Sequence, residues 1–445
     1  MFKNNKVFIL GFARSGYEAA KLLAKRGNEV VLNDMKVEQD KDKVEELTDL
    51  GVKIVLGEHP DDLLDGSFDY LIKNPGVPVE HKYVLKANEL GVEVINEVEM
   101  AWRLMPKNIK FVGITGTNGK TTTTTLIYEM IKRDGKRAHL TGNIGYPLCG
   151  FLDKLEKDDI IVMETSCQQL VNLTEFNPDI AVMTNLSEAH IDFLKTYDNY
   201  KYVKTKIFQN HNSKNVAILN IENDDVLSAT KNIKSTIKYF SSKKEINGSY
   251  IMDNAIYYYD EKIIDLNDIK LIGNHNYENI MAAIMVVKEL GVSNDAIVSV
   301  LNEFGGVEHR IEFVKELKGR KFYNDSKATN IKATQIALSA FKTPVIVLLG
   351  GMERGQDFNE LKDYMSSVKM IVTYGECKKR IEEFANSLEI DVKVVDFLEN
   401  AVNVAYEFSE KGDTILLSPA AASWDQYKCF EDRGNEYKRV INELK

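Results

Sequence analysis

The chain has 445 residues, 44% of them hydrophobic and 28% charged, with only eight prolines. At roughly 150 residues per domain that length predicts three domains, and the composition excludes a disordered or fibrous chain. Fifty-seven Lys and Arg against 67 Asp and Glu give a net charge of −10, which argues against a nucleic-acid binder but leaves room for a local nucleotide site. Cys149, Cys167, Cys377 and Cys429 form no Cys-x-x-Cys pair, so neither a zinc cluster nor a redox dithiol is expected. With no signal-peptide pattern and no apolar run of ~18 residues, a cytoplasmic protein that engages no membrane is expected.

Short apolar runs alternate with amphipathic stretches, which predicts an α/β fold of βα units on largely parallel sheets. The first block, 1–96, opens with a strand over 7–10, a glycine turn over 11–16 and a helix carrying Ala19, Leu22 and Leu23. Strands follow at 30–32, 52–56, 70–72 and 92–95. The second block, 97–303, has strands at 111–114, 160–163, 180–183 and 216–219, and closes with a helix over 277–290 that ends at Gly291. Within it, 236–272 is rich in Ile and Tyr, with Asn247, Gly248, Asp253 and Asn254 as turn residues, which predicts inserted antiparallel hairpins. The third block, 304–445, has strands at 321–323, 345–349, 370–374, 392–395 and 414–417. The expected architecture is a Rossmann-like N-terminal domain, a central P-loop-type mononucleotide-binding domain with a small added β-region, and a C-terminal Rossmann-like α/β domain.

Gly11-Phe-Ala-Arg-Ser-Gly16 stands between strand and helix, where backbone N–H groups and the helix dipole favour a diphosphate. Asp34, ending the next strand, sits where a ribose-binding carboxylate would. Ala13 replaces the glycine that gives the closest backbone approach. The segment therefore fits a nucleotide sugar, a dinucleotide such as NAD, or a structural turn.

Phe111-Val-Gly-Ile-Thr-Gly116-Thr117-Asn118-Gly119-Lys120-Thr121-Thr122 carries a stronger signal. A strand runs into a glycine loop and then a helix, so loop amides can wrap a triphosphate, Lys120 can reach the β- and γ-phosphates, and the Thr121 hydroxyl can bind Mg²⁺. Thr123, Thr124 and Thr125 are expected only to pack or cap. By spacing alone, Glu164 at a strand end reads as a solvated charge, His190 as a loop residue, and Lys201, Lys204 and Lys206 as a solvated helix face. Tyr200, Lys204 and Phe208 nonetheless share one side of that helix. Asn276 reads as a helix N-cap.

The loop over 116–122 resembles the ATP loop of the Mur ligase family, amide-forming ligases of cell-wall precursor synthesis, and that of the related folylpolyglutamate synthases. Further segments resemble the Mur ligases in order: Glu164-Thr-Ser-Cys-Gln-Gln, with Cys167 where an aromatic is usual; Thr184-Asn-Leu-Ser-Glu-Ala-His190-Ile-Asp192, with Ala189 for the usual acid; Gly273-Asn-His-Asn-Tyr-Glu-Asn279; and His309-Arg310. In the third block, Asn324-Asp325-Ser-Lys327-Ala-Thr329, Gly350-Gly-Met-Glu-Arg354 and Ser418-Pro-Ala-Ala-Ala-Ser423-Trp-Asp-Gln-Tyr-Lys-Cys-Phe430 resemble the branch that adds D-glutamate.

That resemblance implies an ATP-dependent ligase whose partners are small molecules: ATP, UDP-N-acetylmuramoyl-L-alanine and D-glutamate. It implies catalytic roles for Lys120, Glu164, His190 and Lys204, the last as a carbamylated lysine. Two Mg²⁺ sites would draw on Thr121, Glu164, His190 and Lys204. ATP would meet Gly116, Thr117, Asn118, Gly119, Lys120, Thr121, Thr122, Asn279, Arg310 and Asp325. The nucleotide sugar would meet Gly11, Arg14, Ser15, Asp34, Asn74, Gly76 and Asn143. D-glutamate would meet Lys327, Thr329, Arg354, Ser423 and Phe430. A monomer whose domains close around the substrates is expected, and the base that takes the amine proton is not legible.

Overall fold

The computed structural model describes residues 2–188, 194–271 and 273–445, so the expected metal ligand His190 lies outside the described residues. The chain divides into two compact units, Met1–Ile269 with Asn274–Asn302, and Lys270–Gly273 with Glu303–Lys445. The first unit holds two sheets and the second holds one. Among the described residues no helix is long and apolar enough to cross a membrane.

The first sheet contains β1 (Lys6–Leu10), β2 (Glu29–Asp34), β3 (Lys53–Leu56), β4 (Tyr70–Lys73) and β5 (Glu93–Asn96) in the order β3-β2-β1-β4-β5, all parallel. Val7, Phe8 and Ile9 are fully buried, because helices cover both faces of a parallel sheet. The chain leaves β1 towards β2 on one side and returns at β4 on the other. A crevice therefore opens at the carboxyl ends of β1 and β4, where such sheets bind ligands.

The second sheet contains β6 (Lys110–Thr115), β7 (Ala138–Gly142), β8 (Ile160–Glu164), β9 (Ile180–Met183), β10 (Val216–Asn220), β11 (Thr236–Ser241), β12 (Gly248–Met252), β13 (Ala255–Tyr258) and β14 (Glu261–Asp265). Its order is β14-β13-β12-β11-β10-β9-β6-β8-β7. The expectation of antiparallel hairpins over 236–272 holds only for β12-β13-β14. β11 pairs parallel with both β10 and β12, so this region extends the main sheet instead of standing apart from it. The closing helix starts at Asn274, which puts Asn276 inside its first turn and corrects the expected N-cap.

The helix Glu97–Leu104 ties the first two sheets together. Asn96 caps it through Glu99 N at 3.0 Å, and Glu97 Oε1 accepts Cys149 N at 2.7 Å. Trp102, Phe111 and Phe176 pack edge to face, with ring centroids 5.6, 5.3 and 5.2 Å apart. Beside them the buried Glu99 carboxylate accepts Glu175 N at 2.8 Å, Thr174 N at 3.0 Å, Phe176 N at 3.2 Å and Arg103 Nε at 2.9 Å. Burial alone pushes this carboxyl up; the backbone donors and Arg103 outweigh it and hold the group below its usual range. Its stabilising contribution is thus full at neutral pH and disappears as pH falls through that depressed value. Glu99→Ala, which orphans these donors, is expected to destabilise the first unit by about 3–5 kcal/mol in urea unfolding at pH 7. A loss under ~1 kcal/mol would mean that water replaces the carboxylate.

The third sheet contains β15 (Glu312–Leu317), β16 (Arg320–Asn324), β17 (Val345–Gly350), β18 (Val368–Tyr374), β19 (Asp391–Val394) and β20 (Thr414–Leu417), in the order β15-β16-β20-β17-β18-β19. Only β15 is antiparallel to its neighbour. The last strand of the chain is inserted between β16 and β17, so the loops after three adjacent strands emerge side by side.

Candidate active site

β6 delivers the chain into the glycine loop, and the helix Lys120–Arg133 carries it away. Gly119 caps that helix in the left-handed region (φ 81°), and no side chain caps it, which leaves the helix N-terminus directed at the loop. A Cβ on Gly119 would sit 2.0 Å from Asn279 Oδ1, and one on Gly116 would sit 2.0 Å from Thr184 Oγ1. The loop is thus pressed between two side chains and tolerates only glycine at both positions.

Asn185 braces the loop from the end of β9. Its carbonyl accepts Thr117 N at 2.8 Å, its Oδ1 accepts Asn118 N at 2.9 Å, and Thr184 Oγ1 donates to Asn118 O at 2.6 Å. Lys120 Nζ donates to Thr117 O at 2.8 Å. Thr124 and Thr125 bond back to the carbonyls of Lys120 and Thr121 at 2.7 and 2.8 Å, the local packing role expected of them. Asn279 is buried under the loop, donating to Asn276 Oδ1 at 3.0 Å.

Two buried ionisable groups flank this loop, contrary to the solvated surroundings that spacing alone assigns them. Glu164, at the end of β8, is 1% exposed. Its Oε1 accepts Asn143 Nδ2 at 2.8 Å, while Oε2 is buried and accepts no hydrogen bond among the described residues. Lys204, in the helix Tyr197–Thr205, is also 1% exposed and lies inside with Tyr200 and Phe208. Its Nζ donates to Thr115 Oγ1 and Gly116 O, both at 3.0 Å. Thr115 Oγ1 in turn donates to Thr165 O at 3.0 Å, so the amine is wedged between the ends of β6 and β8. Burial, with the Lys120 charge second, brings the Lys204 ammonium down to about 7. Periodicity reveals the shared side of this helix but not that a lysine on it faces inward. Among the described residues no cluster of three His, Cys, Asp or Glu side chains is set to hold a metal.

At the crevice of the first sheet, Gly11 follows β1 and Asn74 follows β4. Asn74 Nδ2 donates to Ser15 Oγ at 2.9 Å and its Oδ1 accepts Gly76 N at 3.1 Å. Asp34 Oδ2 accepts Phe12 N at 2.6 Å and Oδ1 accepts Lys36 N at 2.8 Å, so this carboxylate shapes the glycine turn itself. Arg14 is exposed at the start of the following helix. Asn143 is not among these contacts; it stands at Glu164.

In the second unit, the segments after β16, β20 and β17 lie together. Asp325 is buried, accepting Ser418 Oγ at 2.8 Å and Ile311 N at 3.2 Å; burial pushes its carboxyl up to about 7. Lys327 Nζ lies 5.5 Å from the Phe430 ring centroid, and Lys327 N donates to His309 O at 2.9 Å. Thr329 N donates to Lys327 O at 2.8 Å, Ser423 is buried, and Arg310 is exposed. The Arg354 guanidinium lies 5.6 Å from the exposed Trp424 ring, a cation–π pair that spacing did not reveal.

Three family models match this chain in order: the Mur ligase MurD-like N-terminal domain over residues 5–96, the Mur ligase middle domain over 114–287, and the Mur ligase glutamate ligase domain over 309–421. A UDP-N-acetylmuramoylalanine--D-glutamate ligase of Enterococcus hirae is 45% identical over 99% of this chain and 97% of its own length. One from Geobacillus kaustophilus is 44% identical over 100% and 99%. The solved UDP-N-acetylmuramate-alanine ligase of Thermotoga maritima shares the fold, with a TM-score of 0.59 at 18% identity, covering 99% of this chain and 100% of that one. On full-length similarity at this level, the chain belongs to the Mur ligase family.

Proposed function

We propose that the chain joins D-glutamate to UDP-N-acetylmuramoyl-L-alanine, consuming ATP and releasing ADP and phosphate, as a step of peptidoglycan precursor synthesis in the cytoplasm. The observation that carries this reading is the buried Lys204 amine, 3.0 Å from Gly116 O at the base of a phosphate-type loop, in a chain whose full-length relatives bear that ligase name.

In the reaction, a carboxylate oxygen of the alanyl group attacks the γ-phosphorus of ATP, and the bond to the bridging oxygen breaks to leave ADP and an acyl phosphate. The D-glutamate amine then attacks the acyl carbon, loses a proton and expels phosphate, giving the amide. Gly116–Thr122 amides and the Lys120 ammonium would hold the triphosphate and offset its charge. Asn279, Arg310 and Asp325 complete the proposed ATP set. Gly11, Arg14, Ser15, Asp34, Asn74 and Gly76 would hold the nucleotide sugar, with Asn143 near Glu164. Lys327, Thr329, Arg354, Ser423 and Phe430 would receive D-glutamate, whose two carboxylates suit a cationic pocket.

Mg²⁺ fits the residues present: Glu164 offers a buried carboxylate oxygen without a hydrogen-bond partner among the described residues, and the Thr121 hydroxyl lies at the helix start. Bound there, Mg²⁺ would supply charge neutralisation to the phosphates. A lysine brought down to about 7 by burial has the neutral amine that adds CO₂, so Lys204 fits conversion to a carbamate ligand for a second ion. Glu164→Gln is expected to raise the Mg²⁺ concentration for half-maximal turnover at least about tenfold; an unchanged Mg²⁺ titration would remove Glu164 from the metal set.

The experiment that tests the function is ADP release from ATP with each substrate omitted in turn. Release that requires both UDP-N-acetylmuramoyl-L-alanine and D-glutamate is expected, with ¹⁸O passing from the alanyl carboxylate to inorganic phosphate. Release indifferent to either substrate would overturn the reading.

A further inference from the structure

The loops proposed to receive D-glutamate converge on a buried cation with no part in the scheme above. Arg433, on the helix Phe430–Glu443, is 0% exposed and is the bulkiest of the fully buried side chains among the described residues. Among the described residues its hydrogen bonds go to neutral oxygens. Nε donates to Ser326 Oγ at 3.0 Å, Nη2 to Ser326 O at 2.8 Å, and Nη1 to Ala421 O at 3.0 Å and Gly350 O at 3.5 Å.

Those oxygens belong to three different loops, at the carboxyl ends of β16, β20 and β17. Ser326 immediately precedes Lys327, Ala421 is two residues from Ser423, and Gly350 is four residues from Arg354. Ser326 Oγ also donates to Phe430 O at 2.8 Å, which carries the link to a fourth position of the same set. Gly351 packs so tightly here that a Cβ on it would lie 3.1 Å from Arg433 Nη1. A planar fork of five donors in fixed geometry suits the bridging of three loops at once. Burying a guanidinium is costly, and the nearby Asp325 and Asp425 carboxylates, which feel its charge, offset part of that cost; what sets this side chain apart is the set of loops its fork holds together.

We infer that Arg433 is the positioning residue of the acceptor pocket: its guanidinium fixes the spacing of the loops bearing Lys327, Ser423, Arg354 and Phe430. This inference rests on the acceptor reading above.

Arg433→Met, Arg433→Lys and Ser326→Ala test it through KM for D-glutamate, ATP and the nucleotide sugar, with circular dichroism as the check on folding. Arg433→Met is expected to raise KM for D-glutamate about 100-fold while KM for ATP and the nucleotide sugar stays within about twofold. Arg433→Lys keeps the charge but not the fork and should recover about tenfold of that loss. Ser326→Ala should raise KM for D-glutamate about fivefold, and adding it to Arg433→Met should change little further, because both remove the same contact. Folded variants with wild-type KM for D-glutamate overturn the inference, as does a parallel rise in all three KM values with equal loss in the lysine and methionine variants. If Arg433→Met does not fold, Ser326→Ala decides by the same readout. Wild-type protein inert towards D-glutamate overturns the acceptor reading and this inference with it, whereas wild-type turnover with unmoved variants overturns the inference alone.

Discussion

Lys204→Met is expected to lower kcat about 10³-fold and, at the same time, to raise the melting temperature. Both effects come from one fact: Lys204 Nζ is 1% exposed at the residue level and meets only Thr115 Oγ1 and Gly116 O as hydrogen-bond acceptors among the described residues. Folding must take that ammonium out of water, which lowers its ionisation from 10.5 to about 7. The sign follows from linkage. The folded state binds fewer protons than the unfolded state between these two values, so the penalty is full below pH 7 and fades as pH rises towards 10.5. The methionine variant's stability advantage should therefore be largest at pH 7 and below, and shrink through pH 8 to 10. Removing CO₂ from the wild-type protein should reduce its activity, and bicarbonate should restore it; the variant should respond to neither. A variant with full activity, or wild type indifferent to CO₂, would contradict a carbamylated Lys204.

Lys120→Met carries the second large effect. Lys120 is the first residue of its helix, and its Nζ already reaches back 2.8 Å to Thr117 O across the loop. It is the cation best placed to meet charge that grows on a transferring phosphoryl group. Loss of such a positioned cation is expected to lower kcat by about 10³–10⁴-fold, with KM for the nucleotide sugar nearly unchanged because most of that substrate's proposed contacts lie at the first sheet, away from Lys120. Lysine's point charge and arginine's fork are not equivalent, so Lys120→Arg should rescue poorly. Steady-state kinetics in all three substrates reads this out; a drop of less than about tenfold in kcat would show that the loop amides alone carry the triphosphate.

The parallel strands were legible because buried strands write themselves as continuous apolar runs, as in 180–183 and 345–349. β7 and β15 were missed for the opposite reason. Both are edge strands, reading Ala-His-Leu-Thr-Gly and Glu-Phe-Val-Lys-Glu-Leu, and half-exposed edges dilute the apolar signal. The parallel pairing of β11 and β12 was missed because Ile and Tyr content reports strand propensity, not direction. The phosphate loop was readable from glycine spacing, since two close approaches forbid any Cβ there. The inward turn of Lys204, the bare Glu164 oxygen and the burial of Arg433 were not readable, because each depends on which distant backbone comes to cover it. Arg433 lies in the charged run Asp432-Arg-Gly-Asn-Glu436-Tyr-Lys, whose sequence does not show that three loops close over its guanidinium.

The most direct test of the account is to identify the product by mass spectrometry after incubating the protein with ATP, Mg²⁺ and UDP-N-acetylmuramoyl-L-alanine, together with D-glutamate, L-glutamate, L-lysine or meso-diaminopimelate. The account predicts an amide product with D-glutamate alone, formed in equal amount with ADP. An amide formed with another acceptor, or ADP formed without any amide, would contradict it.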